Sequence, residues 1–163
     1  MKKKYIYIIL FIISLIGLDQ LSKYLIVINF QNNEYYEIIN NFFELRYITN
    51  TGAAFGMFNG NTFILGIISL FLVFYIIREI KLNIKNKLEL YSLLLILSGA
   101  LGNLIDRFFR GYVVDFISFK IFNRQMPIFN IADIFITIGV FILIICVIRS
   151  DANENNNKRK RGK

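Results

Sequence analysis

The 163-residue sequence contains no histidine and no tryptophan, and it has a single cysteine and a single proline. Without histidine, the chain lacks the most common metal ligand and the side chain most often used as a catalytic base. The lone Cys146 cannot form an internal disulfide or a cysteine-rich zinc site, and its apolar surroundings, FILIICVI, are typical of a helix interior. We therefore expect no metal and no cofactor.

Acidic residues are the minority, with 11 Asp and Glu against 19 Lys and Arg, which gives a net charge of +8. The basic residues could indicate nucleic-acid binding, but most of them flank apolar runs, where a positive-inside bias would place them. We therefore expect no nucleic-acid partner. Residues 151–163 are polar and basic, which predicts a disordered cytoplasmic tail that contacts anionic lipids, following a single membrane domain at residues 1–150.

Hydrophobic residues make up 56% of the chain and form four runs long enough to enter a bilayer. The first run follows three lysines, as in a signal peptide, but no small-residue cleavage site comes after it, so we interpret it as an uncleaved span. Four spans put both termini on the cytoplasmic side and the segments 29–61 and 108–126 outside. The predicted spans are residues 5–28, 62–77, 89–105 and 128–148.

The two outer segments favour strands rather than helices. Residues 43–48 alternate loosely between apolar and polar side chains, and residues 112–117 are rich in β-prone types. The fold class predicted from the sequence is therefore a membrane all-α protein with a small β part on the outer surface.

Ionisable residues occur close to the predicted spans, where they are rare unless they pair with one another or carry a function. Asp19 and Lys23 are four apart in the first span, so they share a helix face and can neutralise each other. Asn103, Asp106 and Arg107 have the spacing i, i+3, i+4, which puts an amide, an acid and a base on one face. We interpret Asp106 and Arg107 as an ion pair that acts as a structural clamp.

Asp115 and Asp133 are the candidate reactive pair. A hairpin centred on residue 124 would bring them opposite each other. Two carboxylates that close share a proton, so one can activate water while the other polarises a carbonyl, which allows hydrolysis without a metal. The alternative, that each aspartate only caps a turn or a helix, is equally compatible with Asp133.

Two other classes of protein also fit these charged residues. A small transporter or proton channel uses intramembrane Asp and Lys as a relay, but it favours polar residues throughout the bilayer depth, whereas here they cluster at one face. In a structural subunit or lipid-binding scaffold, the aspartates would only satisfy backbone groups.

Five sequence blocks, taken in order, resemble the lipoprotein signal peptidase family, also called signal peptidase II. The resemblance covers residues 19 to 133, nearly all of the chain except its tail. Ile134 departs mildly from it, because a small polar residue often follows the Ala-Asp of the family. The blocks are DQLSK at 19–23, NTGAAF at 50–55, GALGNLIDR at 99–107, VVDF at 113–116 and FNIAD at 129–133.

The resemblance implies that Asp115 and Asp133 are the catalytic dyad of an aspartic endopeptidase. It implies a substrate, a prolipoprotein carrying diacylglycerol on its lipobox cysteine, that is cleaved just before that cysteine. It also implies four transmembrane helices with a β-cradle and a short extracytoplasmic surface helix. The implied residues that line, support or build the site are Asp19, Lys23, Asn50, Gly52, Asn103, Asp106, Arg107 and Asn130.

The same resemblance places the protein in the bacterial cytoplasmic (inner) membrane, with the active site at the outer face, contacts to membrane lipids and a monomeric state. Phe42, Phe43, Phe55 and Phe58 could form an apolar lip around the acyl region of the substrate. Equally, these aromatic residues could be ordinary interfacial anchors.

Overall fold

The computed structural model describes residues 2–52, 60–82, 86–122 and 124–161. Four long helices and a small antiparallel sheet confirm the predicted fold class. The helices are α1 (Lys2–Asn29), α2 (Thr62–Leu82), α3 (Lys87–Phe109) and α4 (Ile131–Arg161). The strands are β1 (Tyr35–Ile39), β2 (Phe43–Asn50), β3 (Val113–Ile121) and β4 (Arg124–Gln125).

Each helix contains a stretch long and apolar enough to cross a membrane, which confirms the prediction of four spans. These stretches are Tyr5–Asn29, Thr62–Leu82, Lys87–Phe109 and Ile131–Ser150. The third stretch lies at the centre of the bundle, because 67% of its most apolar part is buried. The corresponding share is 22% or less in each of the other three stretches. α3 packs against all three other helices.

Small residues let α3 and α4 approach closely, as the sequence indicates for the third span. A Cβ added to Gly139 on α4 would lie 2.7 Å from the Ser92 carbonyl oxygen and 2.7 Å from Ile96 Cγ1 on α3. Gly102 on α3 similarly faces Asp19 and Ala132. This close packing brings the N-terminus of α4 against the C-terminal half of α3, where Gly99 and Gly102 face Ala132.

The four strands form one sheet in the order β1-β2-β3-β4. β2 and β3 pair antiparallel, with Ile48 opposite Asp115. The sheet packs against the end of α1 through a buried cluster that includes Ile26, Val114 and Phe116. β3 is therefore held between the sheet and the helices, and its Asp115 lies at this junction.

The hairpin after β3 differs from the prediction. Ile121 pairs with Arg124 and Ile117 bridges to Phe129, so the hairpin is centred near residues 122–123 rather than 124. Asp133 lies in the first turn of α4 and not in a strand opposite Asp115. The predicted pairing of the aspartates across a hairpin is wrong, because the helix begins before the register could reach Asp133.

Several predictions fall on residues outside the described ranges. They include Phe55 and Phe58 of the apolar lip and the second half of the NTGAAF block. Each helix of the described ranges has at least 21 residues, so the short surface helix stays a prediction. The backbone of α4 continues as helix to Arg161, which differs from the disorder predicted for residues 151–163, since no Pro or Gly interrupts it before Gly162. The division into residues 1–150 and a cytoplasmic tail stays a prediction.

Candidate active site

Asp115 is a buried carboxyl group on β3 that contacts two side-chain amides. Its side chain is 3% exposed. Asn50 Nδ2 donates to Asp115 Oδ2 at 2.7 Å, and Asn130 Nδ2 donates to Asp115 Oδ1 at 2.7 Å. Burial and, second, the nearby charge of Asp133 raise the pKa of Asp115 to about 7, although the two amide donors oppose the shift. Asp115 can therefore hold or release a proton near neutral pH.

Asp133 forms a capping box with Asn130 at the N-terminus of α4. Asp133 N donates to Asn130 Oδ1 at 3.0 Å, and Asn130 N donates to Asp133 Oδ2 at 3.2 Å. Asn103 Nδ2 on α3 donates to the other oxygen, Oδ1, at 2.8 Å. The capping role that the alternative interpretation gave to Asp133 is thus present, but it uses only one of the two carboxyl oxygens, and the other accepts from Asn103.

Two amides connect the two aspartates. Asn130 Nδ2 donates to Asp115 Oδ1 and to Asn103 Oδ1, the latter at 3.1 Å, while Asn103 in turn donates to Asp133. Within the described residues, neither carboxylate forms an ion pair with a lysine or arginine. The structure thus brings Asp115 and Asp133 into one hydrogen-bonded group whose direct contacts are neutral.

Gly52 explains how Asn50 is oriented. The backbone N–H of Gly52 donates to Asn50 Oδ1 at 2.9 Å. This contact fixes the oxygen end of the amide, so that its nitrogen points at Asp115. Gly52 therefore contributes to the site through its backbone.

The buried Lys23 contacts Asn103, one of the two amides that connect the aspartates. Lys23 Nζ lies 2.9 Å from Asp19 Oδ2, 3.0 Å from Asp106 Oδ2 and 2.9 Å from Asn103 Oδ1. The side chains of Lys23 and both aspartates are 0% exposed. The predicted pairing of Asp19 with Lys23 is confirmed. Since Lys23 donates to the oxygen of Asn103, it fixes which end of that amide faces Asp133.

Gln20 is a member of this network that the sequence reasoning missed. Its Nε2 lies 3.2 Å from Asp19 Oδ2, 3.1 Å from the Gly102 carbonyl oxygen and 3.2 Å from Asp106 Oδ1. A polar amide beside Asp19 within an apolar helix was the available signal, because such a group needs partners from another helix.

Asp106 acts as a structural clamp, but its partner is not Arg107. It pairs with Lys23 and, at 3.4 Å, with Arg110, and its Oδ2 accepts the Val114 N–H at 3.2 Å. The predicted Asp106–Arg107 ion pair is wrong, because adjacent helical side chains do not face each other. Arg107 instead donates to the Asn103 carbonyl oxygen at 3.5 Å and interacts electrostatically with both Asp115 and Asp133.

An apolar cavity of about 430 Å³ lies beside Asp133. Among the residues that the structure describes, no group of three or more His, Cys, Asp or Glu side chains could hold a metal ion. The arrangement therefore offers acid–base chemistry by two carboxyl groups, next to a space that can receive an apolar group. The cavity is lined by Phe129, Asp133, Ile134, Thr137 and Ile138.

Comparison with known proteins gives consistent similarities. Residues 11–149 match the family model described as signal peptidase (SPase) II. The chain is 44% identical over 143 residues to a lipoprotein signal peptidase of Clostridioides difficile, covering 86% of this chain and 93% of the relative. It is 42% identical over 156 residues to a lipoprotein signal peptidase of Staphylococcus epidermidis, covering 91% and 94%.

Two solved structures of bacterial membrane enzymes are similar to this fold. The first has a TM-score of 0.83 and 34% identity, and the match covers 90% of each chain. The second has a TM-score of 0.78 and 34% identity, and the match covers 86% of this chain and 92% of the other.

Proposed function

Because the chain belongs to the signal peptidase II family, we propose that it is a membrane aspartic endopeptidase. Its substrates are prolipoproteins that carry a diacylglyceryl group, and it cleaves them just before the lipidated cysteine. The observation that supports this proposal is the connection of Asp115 and Asp133 through Asn130 and Asn103, with no lysine or arginine of the described ranges in an ion pair with either carboxyl group.

The two aspartates divide the acid and base roles. Asp115, whose pKa is raised to about 7, holds a proton near neutral pH and donates it to the carbonyl oxygen of the scissile bond. Asp133 lies at a helix N-terminus, which favours a negative charge, and it accepts a proton from the attacking water. When the C–N bond breaks, the leaving amine takes the proton from Asp133 and the new carboxyl group forms as Asp115 regains its own.

Three asparagines hold the two carboxyl groups in place through hydrogen bonds from their uncharged amides. Asn50 and Asn130 contact Asp115, and Asn103 contacts Asp133, so each carboxyl group has a fixed orientation. Asp19, Lys23 and Asp106 support the site from behind through Asn103 and the backbone of α4. Arg107 interacts electrostatically with both aspartates, and Gly52 orients Asn50.

The proposed location is the bacterial cytoplasmic membrane, with both termini in the cytoplasm, the site at the outer face and the protein working as a monomer among membrane lipids. The basic residues Arg78 and Lys81 at the end of α2, Lys85 after it and Lys87 at the start of α3 support this orientation. A reporter fused after Asn33 should therefore be external, and one fused after Lys85 should be cytoplasmic. The reverse pattern would contradict the orientation.

The direct test is the replacement of each aspartate by asparagine. Asp115→Asn and Asp133→Asn should each lower the cleavage rate of a diacylglyceryl-modified prolipoprotein by on the order of 10³-fold, because each loses a proton-transfer group. Glu37→Gln, which removes a carboxylate from β1, is the matched control and should keep its activity. Cleavage is measured by the gel shift of the substrate. Full activity of either folded aspartate variant would end the assignment.

Chelation provides an independent test, because the proposed chemistry uses only carboxyl groups. Treatment with EDTA should leave the cleavage rate unchanged, as measured in the same gel-shift assay. Strong inhibition, reversed by added metal, would contradict the aspartic mechanism.

A further inference from the structure

The hairpin formed by β3 and β4 has an exposed apolar tip, which the steps proposed above do not use. Phe122 is 96% exposed, and Ile121 and Met126 are exposed by 43% and 41%. Arg124 on β4 is exposed as well. Turns that lie in water are usually rich in Asn, Asp, Gly and Ser. The composition of this tip therefore indicates a contact with something other than water.

The backbone of Phe122 gives no reason for a phenylalanine at this position. Its φ is +50°, in the left-handed region that a bulky side chain adopts at a cost and that Asn or Gly adopts readily. Among the non-glycine residues that the structure describes, three have a positive φ, and the other two are Asn33 and Asn41. The aromatic ring of Phe122 must therefore be useful in a way that the turn itself does not explain.

The hairpin has one polar and one apolar face. Lys120 pairs with Gln125 and Ile121 with Arg124, so successive side chains alternate between the two faces. On the polar face, Gln125 Nε2 donates to Glu44 Oε1 at 2.8 Å, and Lys120 Nζ lies 2.9 Å from Glu44 Oε2. The opposite face is apolar apart from one basic side chain, and it consists of Phe119, Ile121, Arg124 and Met126.

Only the inner part of the apolar face is covered by the sheet and by the segment before α4. The Phe119 ring stacks on Phe43 at 5.0 Å and on Phe129 at 6.1 Å between centroids. Further out, Ile121 and Phe122 remain exposed. The uncovered apolar surface is thus confined to the tip.

The hairpin leaves the helix bundle at the level where the fourth span begins. Ile117 bridges to Phe129, two residues before the membrane-length segment Ile131–Ser150. Phe122 lies five residues further along β3, about 17 Å in an extended strand. A hairpin that pointed straight away from the bilayer would hold its apolar tip in water. One that lies along the headgroup layer, which is about 5–8 Å thick on each side, buries the tip.

The single basic side chain on the apolar face fits this second arrangement. Aromatic residues are enriched at membrane interfaces, and a long arginine side chain reaches the headgroups while its stem stays in apolar surroundings. Arg124 lies opposite Ile121 and close to Phe122, so its guanidinium can contact lipid phosphates while the neighbouring side chains contact the upper acyl region. A protein partner would require no such combination of a basic and an interfacial aromatic residue.

We propose that the hairpin tip, formed by Ile121, Phe122, Arg124 and Met126, is an anchor in the headgroup layer of the surrounding phospholipids, and that it sets the depth of Asp115. Asp115 lies on β3 seven residues before Phe122, and β3 pairs with β2 on one side and β4 on the other. The strand therefore transmits the height of the tip to the carboxyl group. The role in setting depth rests on the proposed function, whereas the anchoring does not.

Fluorescence tests the anchoring, because the chain contains no tryptophan. Phe122→Trp is reconstituted in phosphatidylcholine and phosphatidylglycerol vesicles whose acyl chains carry bromine either near the headgroup or near the methyl end. Shallow bromines should quench its emission more strongly than deep ones. Phe141→Trp is the depth control, since Phe141 is 65% exposed and lies ten residues, about 15 Å, into α4, so deep bromines should quench it more strongly.

Two results of this measurement would overturn the anchor. The first is emission from Phe122→Trp that neither brominated lipid quenches and that aqueous acrylamide quenches fully. The second is quenching by lipid that occurs only after a lipidated prolipoprotein is added, which would assign the tip to the substrate instead of the surrounding phospholipid.

A pair of substitutions tests the effect on Asp115. Phe122→Asn favours the positive φ but removes the apolar side chain, whereas Phe122→Leu keeps an apolar side chain at the unfavourable φ. For an anchor, Phe122→Leu should stay close to the wild-type protein, and Phe122→Asn should lower kcat/KM in vesicles about tenfold, roughly the loss of half of the burial of a phenylalanine. A residue that served the turn alone would give the opposite order.

Circular dichroism identifies the folded variants before cleavage is compared. Full activity of folded Phe122→Asn in vesicles would overturn the depth-setting role of the tip. Failure of the wild-type protein to cleave a diacylglyceryl-modified prolipoprotein would overturn the proposed function, and the depth-setting role with it. The quenching measurement would still decide whether the tip is anchored in lipid.

Discussion

Two lysines in this molecule each lie between two carboxylates, one in the helix bundle and one on the sheet. Lys23 Nζ is 2.9 and 3.0 Å from the oxygens of its two aspartates, and Lys120 Nζ is 2.9 Å from each of its two glutamates. The geometry is nearly the same, but the Lys23 side chain is 0% exposed and that of Lys120 is 24% exposed. Burial is therefore the main difference between the two groups.

The comparison shows how burial changes the role of the same chemistry. A buried charge that loses its partner has no water to replace it, whereas an exposed pair is screened and contributes little. The buried lysine also reaches Asn103, which contacts Asp133, so its position affects the site directly. The half-buried Lys120 joins strands through Glu37 and Glu44. We expect the first group to be indispensable and the second to be replaceable.

The largest expected effect comes from removing each lysine in turn. Lys23→Met should lower the free energy of unfolding by about 3–5 kcal/mol, because it leaves the buried Asp19 without a cation and the buried Asp106 with Arg110 alone. Lys120→Met, the matched control, should cause only a minor loss. Denaturant titration in detergent, followed by circular dichroism, measures both. Similar losses of stability in the two variants would show that burial does not distinguish Lys23 from Lys120.

A smaller effect is expected from crowding the buried group without removing a charge. A Cβ at Gly102 would lie 2.5 Å from Asp19 Oδ2, so Gly102→Ala should lower the free energy of unfolding by about 1–3 kcal/mol. At Gly17 on α1 nothing lies within 4 Å of the added carbon, so Gly17→Ala should be neutral or slightly stabilising. Equal stability of both variants would show that the packing around Asp19 is loose.

Asp115 provides a third case for comparison, because it is buried and forms no ion pair with a lysine or arginine of the described residues. Because its pKa rises from 3.8 to about 7 on folding, the folded state binds the extra proton, and stability falls as pH rises through this window. The slope should be at most about 1.4 kcal/mol per pH unit, and it should disappear in Asp115→Asn. Denaturant titrations at several pH values measure it. A slope unchanged in the variant would assign the proton elsewhere.

The cleavage rate should also depend on the protonation of Asp115. Above pH 7, kcat/KM should fall about tenfold per pH unit as Asp115 loses the proton that it donates. A rate that stays constant or rises from pH 7 to 9 would contradict the assignment of Asp115 as the acid.

The smallest expected effect concerns Glu44, one of the two glutamates that contact Lys120. Burial opposes its ionisation, but hydrogen bonds from Gln125, Lys120 and Ser118 outweigh burial and lower the pKa of Glu44 to about 2. Its contribution to stability is therefore present above pH 4.5 and is lost as pH falls toward 2. Glu44→Gln should flatten the acid limb of the stability curve, because it lowers stability at pH 7, where the carboxylate contributes, and changes stability little near pH 2. An unchanged acid limb would argue against this contribution.

The sequence predicted the spans and the pairing of Asp19 with Lys23 because both follow from periodicity within one helix. Long apolar runs define spans, and residues four apart share a face. The strand at residues 43–48 was also predicted from local alternation, and it forms most of β2. These features depend on neighbours in the chain, so the sequence contains the needed information.

The features that were missed depend on contacts between distant segments. The hairpin register was off by one to two residues, because spacing alone does not reveal that α4 begins at Ile131 with Asn130 as its cap. The charged partners of Asp106 are Lys23 on α1 and Arg110 just after α3, so the proximity of Arg107 in the sequence did not identify them. Glu44 on β2 contacts Lys120 and Ser118 on β3, so these contacts exist only because the two strands pair. Such contacts require the tertiary arrangement.

The hydrogen bond from the Ala132 backbone to Asp19 spans 113 positions, from the first helix to the last. During synthesis, α1 enters the membrane long before α4 is made. Asp133, next to Ala132, cannot meet Asp115 until the final helix has docked against its predecessors. Under the proposed mechanism, a newly made molecule is therefore inactive until its last helix is in place.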